Sequence, residues 1–297
     1  MTIEYFDAEA ARQVVDHDTP IERVASGFVF TEGALWHGRD HYLLFSDIDA
    51  SCMYRWDERS GVSVFRSPSN MTNGNTWDAQ GRLLSCEHAS SRVVRTLGDG
   101  TLETIASHFE GRELNSPNDI VTRRDGSIYF SDPIFGRRLP HGTLREPQLD
   151  HSSVYRITHT GGLQRLAVDL EQPNGLCFSP DERLLYVNDS PRKRIHVHTV
   201  RPDGLVDAGR LFADVPGDEP GVPDGMKVDA QGRVYSCGPG GIHIFLPSGK
   251  RIARIRFPEK ACNFAFAHAD LRTLYVTACT SIYRVRLNTP GIAQWHG

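Results

Sequence analysis

No stretch of this chain approaches the roughly 18 apolar residues that a membrane-spanning helix needs, so no membrane partner is expected. Met1 to Val15 mix acids with apolar residues around no long apolar core, which excludes an export signal there. Basic excess is also missing. A formal net charge of −4 gives no electrostatic case for nucleic acid, and the one local cluster, Arg192–Lys193–Arg194, reads as a solvated turn. The six cysteines contain no C-x-x-C pair, and five of them lie in or beside apolar strand-like runs. They are expected to be reduced core residues of a cytoplasmic protein. Several catalytic signatures are absent as well: G-x-S-x-G, H-E-x-x-H, the phosphate-cradling P-loop, and G-x-G-x-x-G after a strand. Covalent serine chemistry and nucleotide chemistry therefore lose their usual support, while metal-assisted hydrolysis does not. Helical periodicity is weak throughout.

Against these absences stands a repeat. Glu32, Asn73, Asn118, Asn174, Asp224 and Asn263 each lie eight residues before the same point of a turn, marked by Asp40, Gly81, Gly126, Glu182, Gly232 and Leu271. Asn, Asp and Glu make up about one residue in six, so six hits in one register are improbable by accident. Successive positions are 41, 45, 56, 50 and 39 residues apart, and strand-rich periods near 45 point to β-propeller blades. Each oxygen-bearing residue precedes an apolar run, as in Asn174-Gly-Leu-Cys-Phe. A turn such as Asp78-Ala-Gln-Gly-Arg or Asp229-Ala-Gln-Gly-Arg follows. Next come a β-rich run, such as Leu184–Asn188, and an alternating strand, such as Ser153-Val-Tyr-Arg-Ile.

The expected fold is all-β: one domain over residues 1–297, a six-bladed β-propeller of about four strands per blade, closed so that no sheet edge is left open. Ile21 to Phe30 is expected to complete the last blade. A β-sandwich or parallel β-helix would not explain six long, similar repeats.

In a propeller the innermost strands line a central channel, so six equivalent oxygens at their starts can converge on a cation at one mouth. Hard oxygen donors suit Ca²⁺, Mg²⁺ or Mn²⁺, and two carboxylates, Glu32 and Asp224, would neutralise a divalent ion. Polar residues also start inner strands simply because strand ends meet water. A second register lies fifteen residues on, at Asp47, His88 and Asp189, with Asp132 one residue short of it. These side chains should surround the same mouth, either hydrogen-bonding the ligands or contacting a polar substrate. The longest interval contains an insertion between Asp132 and Ser152, in which Phe135, Arg137, Arg138 and His141 are candidates for shaping a pocket.

Glu32-Gly-Ala-Leu-Trp, Leu114-Asn-Ser-Pro-Asn-Asp-Ile, Gln172-Pro-Asn-Gly-Leu and Pro223-Asp-Gly-Met together resemble the gluconolactonase, regucalcin and luciferin-regenerating-enzyme family. The resemblance runs from about Val24 to Leu287. Leu114 to Ile120, with Tyr129-Phe-Ser-Asp-Pro, looks closest to the bacterial gluconolactonases. It implies one divalent cation, Ca²⁺ first with Mg²⁺, Mn²⁺ and Zn²⁺ as alternatives, held by Glu32, Asn174 and Asp224. Asn118 would touch substrate or a water beside the ion; from their register at the mouth, Asn73 and His88 are also assigned to substrate binding. Asp47, Asp132 and Asp189 would support the ligands from behind. The implied reaction is hydrolysis of a sugar lactone; attack of water on the carbonyl still calls for a base, and Asp224 could bind the ion through one oxygen and take the water proton with the other. Some relatives carry Arg two residues before Asn118, where this chain has Ser116, so their sugar-recognition pattern does not transfer. Two rivals are a metal-dependent esterase or organophosphate hydrolase, and a non-catalytic calcium-binding or interaction propeller.

Overall fold

In the computed structural model, which describes residues 1–166 and 169–294, six antiparallel sheets close into a ring. Blade 1 comprises Thr31–His37, Tyr42–Asp47, Cys52–Asp57 and Gly61–Arg66. Blade 2 comprises Thr72–Trp77, Leu83–Glu87, Arg92–Thr96 and Leu102–Ala106. Blade 3 runs Ile120–Thr122, Ile128–Asp132, Ser153–Ile157, Leu163–Arg165, and blade 4 runs Pro173–Phe178, Leu184–Asp189, Arg194–Thr199, Arg210–Asp214. Blade 5 is built on Met226–Val228, Val234–Gly238, Gly241–Phe245 and Arg251–Arg256, and blade 6 on Ala261–Ala267, Thr273–Ala278 and Ser281–Arg286. The first strand of each blade is innermost, and each innermost strand touches its two neighbours around the channel.

Burial explains the sequence pattern. An innermost strand is covered on both faces by adjacent blades, so all six residues of Pro173–Phe178 are buried. The outer strand Gly61–Arg66 faces water on one side and alternates instead. The turns expected at Asp78 and Asp229 share one construction. Asp78 Oδ1 accepts the amides of Gln80 and Arg82, both at 2.9 Å, and Asp229 Oδ1 accepts those of Gln231 and Arg233 at the same distance. The partner carboxylate oxygen takes the guanidinium of Arg82 or Arg233 at 2.7 and 2.8 Å.

The ring is closed as expected. Ile21–Ser26 pairs antiparallel with Ser281–Arg286 and supplies the outer strand of blade 6. The extreme N-terminus has a role the sequence pattern did not reveal: Thr2–Tyr5 adds a fifth strand to blade 5 beside Arg251–Arg256. A short helix, Ala8–Arg12, capped by Asp7, follows it. None of the described helices is long and apolar enough to cross a membrane.

Candidate active site at the channel mouth

The starts of the innermost strands carry the repeated polar residues, and the strands bulge there. Pairing shifts register between Glu32 and Leu35, Thr72 and Asn75, Pro173 and Leu176, and Ala261 and Asn263. A bulge re-aims a side chain out of the pleat, here toward the channel. Four of the six polar residues are followed by glycine, for a packing reason. A Cβ on Gly33 would lie 1.9 Å from the Asn73 carbonyl oxygen, and one on Gly74 2.3 Å from that of Asn118. On Gly175 it would lie 2.0 Å from the Asp224 carbonyl oxygen, and on Gly225 2.4 Å from the Asn263 side chain. Neighbouring blades thus meet backbone to backbone, and this close approach draws the polar side chains together.

Glu32 and Asp224 are 3% and 8% exposed, and their carboxylates approach within 4.8 Å. Burial raises both acids. Asp224's negative charge pushes Glu32 well above the usual carboxylate range, while Lys260 and the contacts to Glu32 and Asn174 hold Asp224 to about 6. Two buried carboxyls this close need a proton or a cation between them. Beside Asp224, Asn174 donates Nδ2 to Ser190 Oγ at 3.1 Å, but its buried Oδ1 has no hydrogen-bond partner among the described residues. A buried acceptor oxygen left bare on a residue that contacts one of two paired carboxylates is what a cation site requires, so Glu32, Asn174 and Asp224 fit one.

The other ring positions are committed differently. Asn263 donates Nδ2 to Glu32 Oε2 at 3.0 Å, while its Oδ1 accepts from the Phe264 amide and Lys227. It therefore orients a carboxylate and presents no free oxygen. Asn118 is 4% exposed, its carbonyl accepting from Gly74 N at 2.8 Å. Asn73 contacts His88, whose Nδ1–H donates to the His141 carbonyl at 2.9 Å. That leaves His88 Nε2 to accept from Asn73 Nδ2 at 3.2 Å. Burial drives the His88 imidazole down to about 4, so it is neutral.

The second register is resolved by strand pairing. Asp47 lies opposite Thr31 and Asp189 opposite Pro173, but Thr72 lies opposite Glu87, so Glu87 is the blade 2 counterpart and His88 sits one residue past it. Asp47, Asp132 and Asp189 share one arrangement: each carboxylate takes two successive backbone amides of the chain leading into an innermost strand. Asp47 holds Val29 and Phe30, Asp132 holds Asn115 and Ser116, and Asp189 holds Glu171 and Gln172, all at 2.8–3.1 Å. They fix the backbone that delivers the site residues.

The insertion between Asp132 and Ser153 reaches residues of blades 1 and 2 and the chain leading into blade 4. The His141 ring stacks on Phe30 at 3.8 Å and reaches Asp49 at 3.0 Å, and Ile134 N donates to Gln172 at 2.9 Å. Arg137 is the loop's buried anchor, bonded to the carbonyls of Asn115, Leu114 and Glu146 and to Glu113. Arg138 is exposed.

Three residues at the mouth escaped the sequence reading. Asp119 is buried with Oδ2 unpartnered among the described residues, and Lys260 places its ammonium 4.6 Å from the Phe30 ring centre, on the side of the two carboxylates. Cys262 Sγ lies within 4.8 Å of both carboxylates. Asp119 and Cys262 adjoin ring positions, and that adjacency was their signal.

The family model described as SMP-30/Gluconolactonase/LRE-like region matches residues 30–280. The chain is 31% identical to the gluconolactonase of Zymomonas mobilis over 303 residues, covering 94% of this chain and 84% of that protein. The solved gluconolactonase of Xanthomonas campestris superposes with a TM-score of 0.88 at 35% identity, over 97% of this chain and 95% of that one. A regucalcin from Agrobacterium tumefaciens, described as calcium-binding, shares the fold: TM-score 0.77, 20% identity, 93% and 96% coverage. With the family's motifs in order along a six-bladed ring, the chain belongs to the SMP-30/gluconolactonase/LRE-like family.

Proposed function

We propose that this protein hydrolyses sugar lactones at the channel mouth, with Glu32, Asn174 and Asp224 holding one divalent cation. The observation that carries the reading is the approach of the buried Glu32 and Asp224 carboxylates from blades 1 and 5, with Asn174 of blade 4 in contact with Asp224 and keeping a bare acceptor. The likeness to gluconolactonases supports the substrate class, and the calcium-binding regucalcin supports Ca²⁺ among the hard ions these oxygens suit. A cation bound there supplies Lewis-acid polarisation of the lactone carbonyl.

The chain's own residues do the rest. Asp224 takes the proton of the attacking water as its oxygen bonds to the carbonyl carbon, a contribution of typically 10²–10⁴-fold for a positioned base. The acyl–oxygen bond of the ring then breaks, and the proton passes to the departing ring oxygen, giving the open hydroxy acid. Asn118 and Asn73 offer amides to the sugar hydroxyls, and neutral His88 fixes Asn73. Phe30, His141 and the insertion wall off one side of the mouth. Six free cysteines, five of them buried, favour a reducing compartment such as the cytoplasm.

The test is proton release from glucono-, galactono- and xylonolactone by metal-stripped protein titrated with Ca²⁺, Mg²⁺, Mn²⁺ and Zn²⁺. Saturable activity restored by a metal and abolished in Glu32→Ala and Asp224→Ala is expected. Hydrolysis no faster than the spontaneous rate with every metal would refute the reading.

A further inference from the structure

The repeated register assigns blade 6 an amide, Asn263, yet that amide is spent on Glu32, Phe264 and Lys227. The residue before it takes its place. Positions preceding the ring residues are Thr31, Thr72, Pro117, Pro173, Pro223 and Cys262, and only the last carries a strong metal donor. Cys262 is the extra residue of the blade 6 bulge: Ala261 pairs with Ala278 and Asn263 with Thr277, leaving Cys262 unpaired between them. Its carbonyl is held by the Gly225 amide at 2.8 Å, so the backbone is tied to the strand that carries Asp224. Its sulfur is fully buried and lies with the Glu32 and Asp224 carboxylate oxygens in one group whose members are all within 4.8 Å. Among the described residues this is the one such cluster of three His, Cys, Asp or Glu donors.

We infer that Cys262 is a thiolate ligand of the cation centre, making it a mixed sulfur–oxygen site that prefers Zn²⁺ or Co²⁺ to Ca²⁺ or Mg²⁺. The inference rests on the proposed Glu32–Asn174–Asp224 centre and changes its chemistry. An all-oxygen set suits hard ions, whereas one thiolate selects for borderline transition metals. The bare Oδ1 of Asn174, 4% exposed as a residue, is the independent sign that a cation belongs there. On binding, the thiol gives its proton to solvent and the sulfur lone pair forms the bond to the metal. No oxidation is involved. Cys279 follows the paired strand and is half-buried near Cys262, but it stands outside the cluster.

The experiment is cobalt reconstitution of metal-stripped protein, read by absorption without any substrate. The parent should show visible ligand-field bands together with a near-ultraviolet thiolate-to-cobalt charge-transfer band. Cys262→Ser and Cys262→Ala, each checked for native circular dichroism, should keep the visible bands and lose the charge-transfer band. Cys279→Ser should keep both. Competition should show that Cys262→Ser loses more affinity for Zn²⁺ than for Ca²⁺. Cobalt bound without a charge-transfer band, or a band that survives in both Cys262 variants, overturns the role of Cys262 and leaves the oxygen centre standing. A parent that binds no cobalt, zinc or calcium overturns that centre and this inference with it.

Discussion

Asn263 Nδ2 and Glu32 Oε2 stand 3.0 Å apart, joining blade 6 to blade 1 across the seam where the ring closes. The same Glu32 oxygen accepts the Gly33 amide at 2.7 Å, so one carboxylate oxygen is fixed by two donors. The carboxylate is thereby set before any cation arrives. Asn263→Ala should weaken divalent-cation affinity about 10–100-fold, the usual cost of removing a partner that orients a ligand. Isothermal titration of the metal-stripped variant measures this, and an unchanged dissociation constant would show that Glu32 needs no such partner.

Gly175 packs against the Asp224 carbonyl with no room for a methyl group. Gly175→Ala should force blades 4 and 5 apart and cost about 1–3 kcal/mol, the range for overpacking a tight contact. Gly38→Ala, where an added Cβ meets nothing within 4 Å, is the control and should stay within about 0.5 kcal/mol of the parent. Urea unfolding of the two variants decides it. Equal midpoints would contradict the packing account.

His88 gives a pH signature. Burial lowers its folded-state value to about 4 from an ordinary 6.5, so the folded protein favours neutral imidazole. The stability tied to this group is fully present above about pH 6.5 and is lost as the pH falls toward 4. The whole shift corresponds to about 3 kcal/mol. In His88→Gln this component is gone. The stability difference between parent and variant should therefore shrink by up to that amount between pH 7 and pH 4. A difference that does not move with pH would mean His88 does not titrate in this range.

Arg137 holds the rim insertion through a buried guanidinium. Arg137→Leu should cost on the order of 3 kcal/mol, toward the low end for a broken buried pair because Glu113 keeps Arg145 and some water. The insertion should also become more susceptible to protease between residues 138 and 148. Cleavage at the parent's rate would show that the loop is held by other contacts.

How far the sequence reached can be judged residue by residue. Glu32, Asn174 and Asp224 share one strand position, and a propeller repeats that position around its axis, so periodicity alone brought them to one mouth. Ile21 to Phe30 was legible as the closing strand because it reads as strand and lies before the first repeat motif, outside any blade of its own. By contrast, Thr2–Tyr5 is too short to carry a period, and its place beside Arg251–Arg256 depends on an edge nearly the whole chain away. His88 was set in register with Asp47 by counting, but the blade 2 hairpin is one residue shorter than that of blade 1, with the same bulge in each, and pairing puts Glu87 there instead.

What the sequence by itself determined, then, is the six-fold repeat, the ring and the mouth at which the polar residues gather. Those follow from local patterns of burial and turn chemistry, which each blade repeats independently. Only the tertiary structure decided which donors remain available there. Asn263 is used up by Glu32, Asn174 keeps a bare oxygen, and Cys262, whose thiol donates to the Lys260 carbonyl, holds its sulfur within 4.8 Å of the carboxylates. Such allocations depend on contacts between blades, where hydrogen bonds and bulges compete for the same side chains across distances no local pattern records.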